Sequence, residues 1–288
     1  MNDFLRRLMN RINPTRNSYI SVFGLNLYQN VRDVLSYDKF SGKSIYFAQE
    51  EADGRIFKLI RLYVRKDSVA IDVGANIGLM TLIMAKYIGR NGRILSLEPG
   101  PVSFGLLRAN VFTNGFENVR IIDKAASDRI GTTNLFINRN GESDNQVHHN
   151  IAQYTFKNEP SRLKIEIETT TLDSLIEFYD ILPSRISFIK IDTQGHELSV
   201  LMGSSNLIRN SQQIAIVCEF APYLKSWENF TIQEFHTFVV GLGLIVYDQS
   251  NLEFGIVDVA YLEENYGFDK PGRYTDLLLL KGHSRPKA

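Results

Sequence analysis

The stretch Val69-Ala70-Ile71-Asp72-Val73-Gly74-Ala75-Asn76-Ile77-Gly78 decides the fold. Five residues of buried-strand character run into a turn punctuated by Gly74 and Gly78. The pattern then predicts a helix from about Ile77 to Tyr87, stopped by Gly89. Strand, glycine turn and helix make the first half of a βαβ unit. In an open parallel sheet, ligands bind beyond the carboxyl ends of the strands, and glycines there let a ligand approach the backbone.

Downstream the alternation continues. Arg93 to Glu98 reads as a second strand, Pro99-Gly100-Pro101 turns into a helix through Asn110, and Asn114-Gly115 ends it. Val119 to Ile122, Ile186 to Ile191 and Ile214 to Glu219 read as three further strands. Short β-branched runs alternating with helices imply right-handed βαβ units. Leu135 to Thr170 breaks the rhythm with strand-like ends around a polar middle, Asn138 to Asn150. It reads as an antiparallel excursion whose loop is placed to cover a site. Thr231-Ile232-Gln233-Glu234 fits a capping box, Gly241 and Gly243 end that helix, and strands follow at Leu244 to Tyr247 and Thr275 to Leu280. The expectation is a doubly wound, Rossmann-like α/β domain on a mostly parallel seven-stranded sheet with one antiparallel strand.

Upstream, residues 1–67 read as an N-terminal extension packing on a core domain of residues 68–288. Phe4, Leu5, Leu8 and Ile12 against Arg6, Arg7, Arg11 and Arg16 form a short basic amphipathic segment that ends at Pro14. It is a docked or frayed terminal helix, or a weak peripheral contact with a membrane surface. Tyr19 to Leu27 reads as a strand or hairpin arm.

With 44% hydrophobic and 22% charged residues the chain is an ordinary globular one, and 32 basic against 32 acidic residues leave no global field to gather nucleic acid. The single cysteine, Cys218, excludes an internal disulfide and sits in an apolar run as a small core residue. No apolar leader follows Arg6 and Arg7, and no run approaches the roughly 20 apolar residues of a membrane span. The expected location is cytoplasmic.

The glycine turn first suggests a dinucleotide, but the spacing opposes it. Counting from Gly74, the second and third glycines of a pyrophosphate fingerprint fall on Asn76 and Leu79. S-adenosylmethionine carries no phosphate, and its cationic groups favour acceptors such as Asp72. Glu98, about 20 residues past the turn, is placed for ribose hydroxyls, or as an acid before a helix N-terminus. Asp123, Lys124 and Ala125 border the same rim at the third strand and suit an adenine or a solvated turn. Charged residues closing an apolar strand are rarely there for packing. Lys190 and Asp192 therefore stand out, and they share a face by strand alternation. Glu197 reaches the same site or caps the next helix, and Glu219 ends the fifth strand in the same layer. His196 is a second base candidate, or an exposed helix-start histidine. His148 and His149 form a solvated pair in a polar loop, with metal binding as the alternative, and no metal ligand is assigned. Asp192 is the first choice of base, or it anchors the cofactor amino group or holds a divalent ion with Glu219. Phe220, Tyr223 and Trp227 either stack on a sugar ring or cover the core.

At these residues the chain resembles the FkbM family of methyltransferases. The matching pieces are Asp72 to Gly78, Leu97-Glu98-Pro99, Asn110 with Asn114, Ala125 to Gly131, Thr171-Leu172-Asp173, Lys190 to Glu197, Gly203 and Glu219. They span about Ser68 to Tyr223, and Lys190-x-Asp192-x-x-Gly195-x-Glu197 is the most specific of them. The resemblance implies a class I methyltransferase fold. It also implies S-adenosylmethionine as cofactor and methyl transfer to a hydroxyl of a sugar, lipid-linked saccharide or secondary metabolite. Asp72, Gly74, Asn76, Gly78, Glu98, Asp123, Lys124, Ala125 and Asp192 would hold the cofactor, with Asp192, His196, Lys190 and Glu197 as the catalytic set. One departure stands out: the family usually has an acid where Gln194 stands. Gln194 keeps alive the alternative of an inactive cofactor-binding protein. An NAD-dependent oxidoreductase is the other rival. A nucleic-acid methyltransferase is disfavoured by the neutral charge and by the lack of an Asn-Pro-Pro-aromatic or Cys-based site.

Overall fold

The computed structural model describes residues 17–22, 25–30, 45–137, 163–224, 230–253 and 255–284. The basic N-terminal segment, the polar stretch 138–150 with His148 and His149, and Trp227 lie outside the described residues.

The chain opens with a hairpin, β1 (Asn17–Val22) and β2 (Leu25–Asn30), paired from Asn17↔Asn30 to Val22↔Leu25. Helix α1 (Ile45–Tyr63) follows. The main sheet then begins with β3 (Val69–Val73), and it gathers β4 (Arg93–Leu97), β5 (Val119–Ile122), β9 (Ile186–Ile191), β10 (Ile214–Phe220), β11 (Ile245–Asp248) and β12 (Thr275–Lys281). Their order is β11-β12-β10-β9-β3-β4-β5. Neighbours from β10 to β5 pair in parallel, and β12 runs antiparallel to both β10 and β11. This is the expected seven-stranded sheet with its one reversed strand. The order reverses between β3 and β9, so the switch point opens at the glycine turn.

The excursion is a separate sheet, in which β7 (Gly131–Ile137) pairs antiparallel with β8 (Leu163–Thr170) and the two-residue β6 (Ala125–Ala126) joins β8 in parallel. Helices α2 (Leu79–Ile88), α3 (Pro101–Thr113), α4 (Leu172–Phe178), α5 (Glu197–Met202), α6 (Ser205–Asn210), α7 (Ile232–Gly241) and α8 (Val259–Tyr266) complete the elements used below. The Thr231–Glu234 capping box at α7 is formed. Helix α2 begins two residues later than the pattern predicts, because Asn76 (φ 50°) and Gly78 (φ 93°) are left-handed and cannot continue a helix.

Strands buried on both faces explain the unbroken apolar runs. Val69, Ile71 and Val73 face one core with Ile189, Ile191, Ile216 and Cys218. Ala70 faces the other, with Phe188, Val217 and the α2 side chains Leu82 and Met84. Leu25 and Leu27 of β2 and Ile56, Leu59 and Ile60 of α1 belong to that second core. Each such side chain removed from water contributes about 1.5–3 kcal/mol before entropy is counted. Phe220 is fully buried, its ring 5.2 Å from Phe235, so it covers the core instead of offering a stacking platform. No helix among the described residues is long and apolar enough to cross a membrane.

Candidate active site

Three strand ends build the site. At β3, Gly74 takes φ 73°, and its amide and that of Ala75 both donate to the Leu97 carbonyl (3.0 and 2.9 Å). The turn is pressed against β9 so closely that a Cβ on Gly74 would lie 1.8 Å from the Asp192 carbonyl oxygen. Asn110 ties the turn to α3 by donating to the Ile77 carbonyl (2.7 Å). Glu98, just past β4, accepts from the Asn76 amide with one oxygen and the Gly100 amide with the other, both at 2.8 Å. A diphosphate seeking the turn amides would therefore meet a carboxylate already seated on Asn76. A carboxylate oxygen can accept more than one hydrogen bond, so Glu98 is of the right chemistry for a hydroxyl donor.

Asp72 sits one layer below the turn. It is fully buried, accepts from Thr81 Oγ1 at 2.5 Å, and leaves Oδ1 without a hydrogen-bond partner. Thr81 in turn contacts Ser96 at 2.8 Å. Burial pushes the Asp72 pKa up, against the pull of Lys190 and Thr81.

At β9, Lys190 Nζ donates to Asp192 Oδ2 at 2.9 Å. The lysine side chain is buried, while that of Asp192 is 37% exposed. Burial works to lower the Lys190 pKa, but the charges of Asp192 and Asp72 outweigh it and keep the ammonium protonated. Burial likewise works to raise Asp192, and Lys190 and Gln194 hold it below the usual carboxylate range. The rim thus carries, beside the glycine turn, a carboxylate whose ionised form is favoured.

Gln194 follows in a left-handed conformation (φ 53°) and Gly195 takes φ 98°. Glu197 secures this loop: one of its oxygens accepts from the Thr193 amide (2.8 Å), the Thr193 hydroxyl (3.0 Å) and the Gly195 amide (3.0 Å). It is fully buried, and burial raises its pKa to about 7. His196 is buried rather than exposed, with Nε2 3.0 Å from Ser127 Oγ. The sequence suggests an exposed ring, but the Ser127 loop covers that position.

A model of the FkbM methyltransferase domain matches residues 72–241, more than half of the chain. The chain belongs to the FkbM methyltransferase family. Methyl transfer from S-adenosylmethionine is the chemistry of that family. The methyltransferase sdnD of Sordaria araneosa is 31% identical over 164 residues, which are 49% of this chain and 63% of that protein. The match therefore spans less than two thirds of that relative. Among solved structures, methyltransferase FkbM from Methylobacillus flagellatus KT is 16% identical and covers 75% of this chain and 44% of its own, with a TM-score of 0.44. M. jannaschii TYW2, in complex with AdoMet, is 12% identical over 92% of this chain and 84% of its own, with a TM-score of 0.42.

Several positions of the FkbM pattern have structural work in this chain. Asn114 exchanges hydrogen bonds with the Asn26 backbone of the hairpin (2.8 and 2.7 Å). Asp173 accepts from the Asn206 and Leu207 amides at the start of α6. A Cβ on Gly203 would lie 1.9 Å from the Ser127 carbonyl. Of the expected site residues, Asp72, Gly74, Asn76, Glu98, Lys190 and Asp192 converge at the switch point. Gly78 packs on Leu107 at the start of α2. Glu197 and His196 lie buried in the loop beneath the rim. Ala125 is buried in β6, and Lys124 pairs with Glu168 at 2.7 Å. Burial raises Asp123, partly offset by Arg108.

Thr81, Ser96 and Asp276 are absent from the sequence-based site. Asp276 opposes Glu219 in the β10–β12 register, and both are half-buried on the Lys190 face. Burial raises both acids, Asp276 to about 6 and Glu219 well above its ordinary value, with Asp192 adding to each. Alternation from Leu278 and Leu280 places Asp276 on that face, but only the strand order brings it beside Glu219.

Proposed function

We propose that this chain is an O-methyltransferase that moves the methyl group of S-adenosylmethionine to a hydroxyl of a sugar, glycan, lipid-linked saccharide or secondary metabolite. The observation that carries this reading is the contact between Gly74 and the backbone of Asp192. It puts an ionised carboxylate, held by Lys190, against a turn whose anion-binding amide is already occupied by Glu98. Such a rim favours a cation and repels a phosphate. The residues therefore fit a sulfonium nucleoside and oppose the nicotinamide alternative. When bound, that compound supplies an electrophilic methyl group.

Glu98 would hold the ribose hydroxyls, and Asp123, Lys124 and Ala125 would border the adenine. Asp192 would face the positive charge of the bound methyl donor. Lys190 keeps Asp192 ionised and fixes its rotamer, which makes it a positioning residue. Glu197 and His196 hold the loop from below, and proton removal falls to Asp192. Much of the acceleration comes from aligning two reactants.

The direct test is calorimetric titration with S-adenosylmethionine, its demethylated product and NAD. The first two should bind and NAD should not. Glu98→Ala should weaken nucleoside binding at least tenfold, or about 1.4 kcal/mol. Methyl-labelled donor with a panel of hydroxylated saccharides and lipids then finds the acceptor. Tight NAD binding with none for the sulfonium compound would refute the reading.

A further inference from the structure

The rim holds a nitrogen where charge balance calls for a cation. Gln194 Nε2 lies 3.0 Å from Asp192 Oδ1 and 3.4 and 3.3 Å from the two oxygens of Glu219. One amide group thus donates toward three oxygens on two acids from two different strands. We propose that Gln194 is a positioning residue that takes the place of a divalent cation at the rim of the site. Its amide bridges Asp192 and Glu219, so that the rim needs no metal.

The surroundings support this. Around the bridge are Asp192 just past β9, Glu197 of α5, Glu219 from β10 and Asp276 from β12, with Asp72 below. Against these five carboxylates stand Lys190, already paired to Asp192, and Arg55 of α1, which is exposed. Two carboxylates this close cannot both ionise without a bridging positive group or a proton. Here the amide supplies partial positive charge, and burial with neighbouring acids pushes the Glu219 pKa up. A divalent ion at the same point would favour ionised Glu219 instead.

The loop is built to keep the amide there. Left-handed φ is unfavourable for a non-glycine residue, yet Glu197 grips the amides of Thr193 and Gly195 on either side of Gln194. That clamp fixes the side chain's origin, leaving its length to reach both acids. A glutamate in the same backbone position would place a third carboxylate among them and create an all-oxygen set suited to Mg²⁺, Mn²⁺ or Ca²⁺.

The inference rests on these hydrogen bonds and not on the methyl-transfer reading, and its test is independent of turnover. Mn²⁺ is titrated into the full chain and followed by the loss of the free-ion EPR signal. S-adenosylmethionine affinity and thermal unfolding are recorded for each variant. Gln194→Glu should bind Mn²⁺ at least tenfold more tightly than wild type, and adding Asp192→Asn to it should remove the gain. Gln194→Ala, which removes the donor without adding charge, should show a smaller gain and carries the test if the glutamate variant does not fold. Wild-type binding as tight as that of Gln194→Glu, abolished by Asp192→Asn, would overturn the proposal, since Gln194 would then be offering its oxygen to an ion. So would the absence of any gain in both variants. Loss of S-adenosylmethionine binding in wild type, with the Mn²⁺ pattern intact, would instead sink the methyl-donor reading alone.

Discussion

Replacing Gly74 with alanine separates two effects that are usually confounded. Gly74 has φ 73°, and an added Cβ would meet the Asp192 carbonyl oxygen at 1.8 Å and its carbonyl carbon at 2.9 Å. Gly115 has nearly the same backbone angle, φ 70°, with nothing within 4 Å of its would-be Cβ. Gly115→Ala therefore measures left-handed strain alone, about 1 kcal/mol. Gly74→Ala carries that strain plus a displacement. To reach even a tight contact, the Asp192 backbone must recede by about 1.2 Å, and overpacking of this kind costs a further 1–3 kcal/mol or so. Urea unfolding should thus show a loss of about 2–4 kcal/mol for Gly74→Ala. A shift of about 1 Å in a group beside the reacting centre also costs on the order of 100-fold in turnover. Calorimetry should show S-adenosylmethionine affinity falling at least tenfold for Gly74→Ala and unchanged for Gly115→Ala. If the two variants behave alike, or Gly74→Ala keeps wild-type affinity, the turn and Asp192 are not coupled as the distances require.

Two further predictions concern stability. Burial lifts the Glu197 pKa from 4.5 to about 7, so the folded chain holds that proton more tightly than the unfolded one. Its stabilising effect is complete below the unfolded value and drains away as pH rises toward the folded one. Glu197→Gln keeps an oxygen for Thr193 and Gly195 but cannot titrate. It should therefore gain on wild type between about pH 5 and pH 8, by up to about 3 kcal/mol; a constant difference across that range would refute the assignment. Asp248, fully buried at the end of β11, accepts from the Ser250 amide (2.8 Å), Tyr261 (2.8 Å), Tyr266 (2.6 Å) and Thr275 (2.6 Å). Asp248→Asn turns an NH₂ group toward these donors and should cost about 3 kcal/mol in urea unfolding. A loss under about 0.5 kcal/mol would mean that the carboxylate is not the hub of that corner.

Much of the architecture was legible because strands buried on both faces write themselves as apolar runs, and glycines mark the turns between them. The capping box at Thr231 follows from local chemistry. Helices α1, α4, α6 and α8 were not read. Their apolar stripes are short or mixed, and packing on the sheet, not propensity, makes them helical. The surroundings of His196 were equally hidden, since its partner Ser127 is 69 residues away.

By itself the sequence determined the strand–turn–helix switch point, the acid at Glu98 and the shared face of Lys190 and Asp192, because each depends on residues within a few positions of one another. Only the tertiary structure decided that Gly74 touches Asp192, that Asp276 stands beside Glu219, and that one amide of Gln194 joins two strands. Those relations depend on the lateral order of β12, β10, β9 and β3. That order arises from burying both faces of a whole sheet, a balance that no local stretch of sequence records.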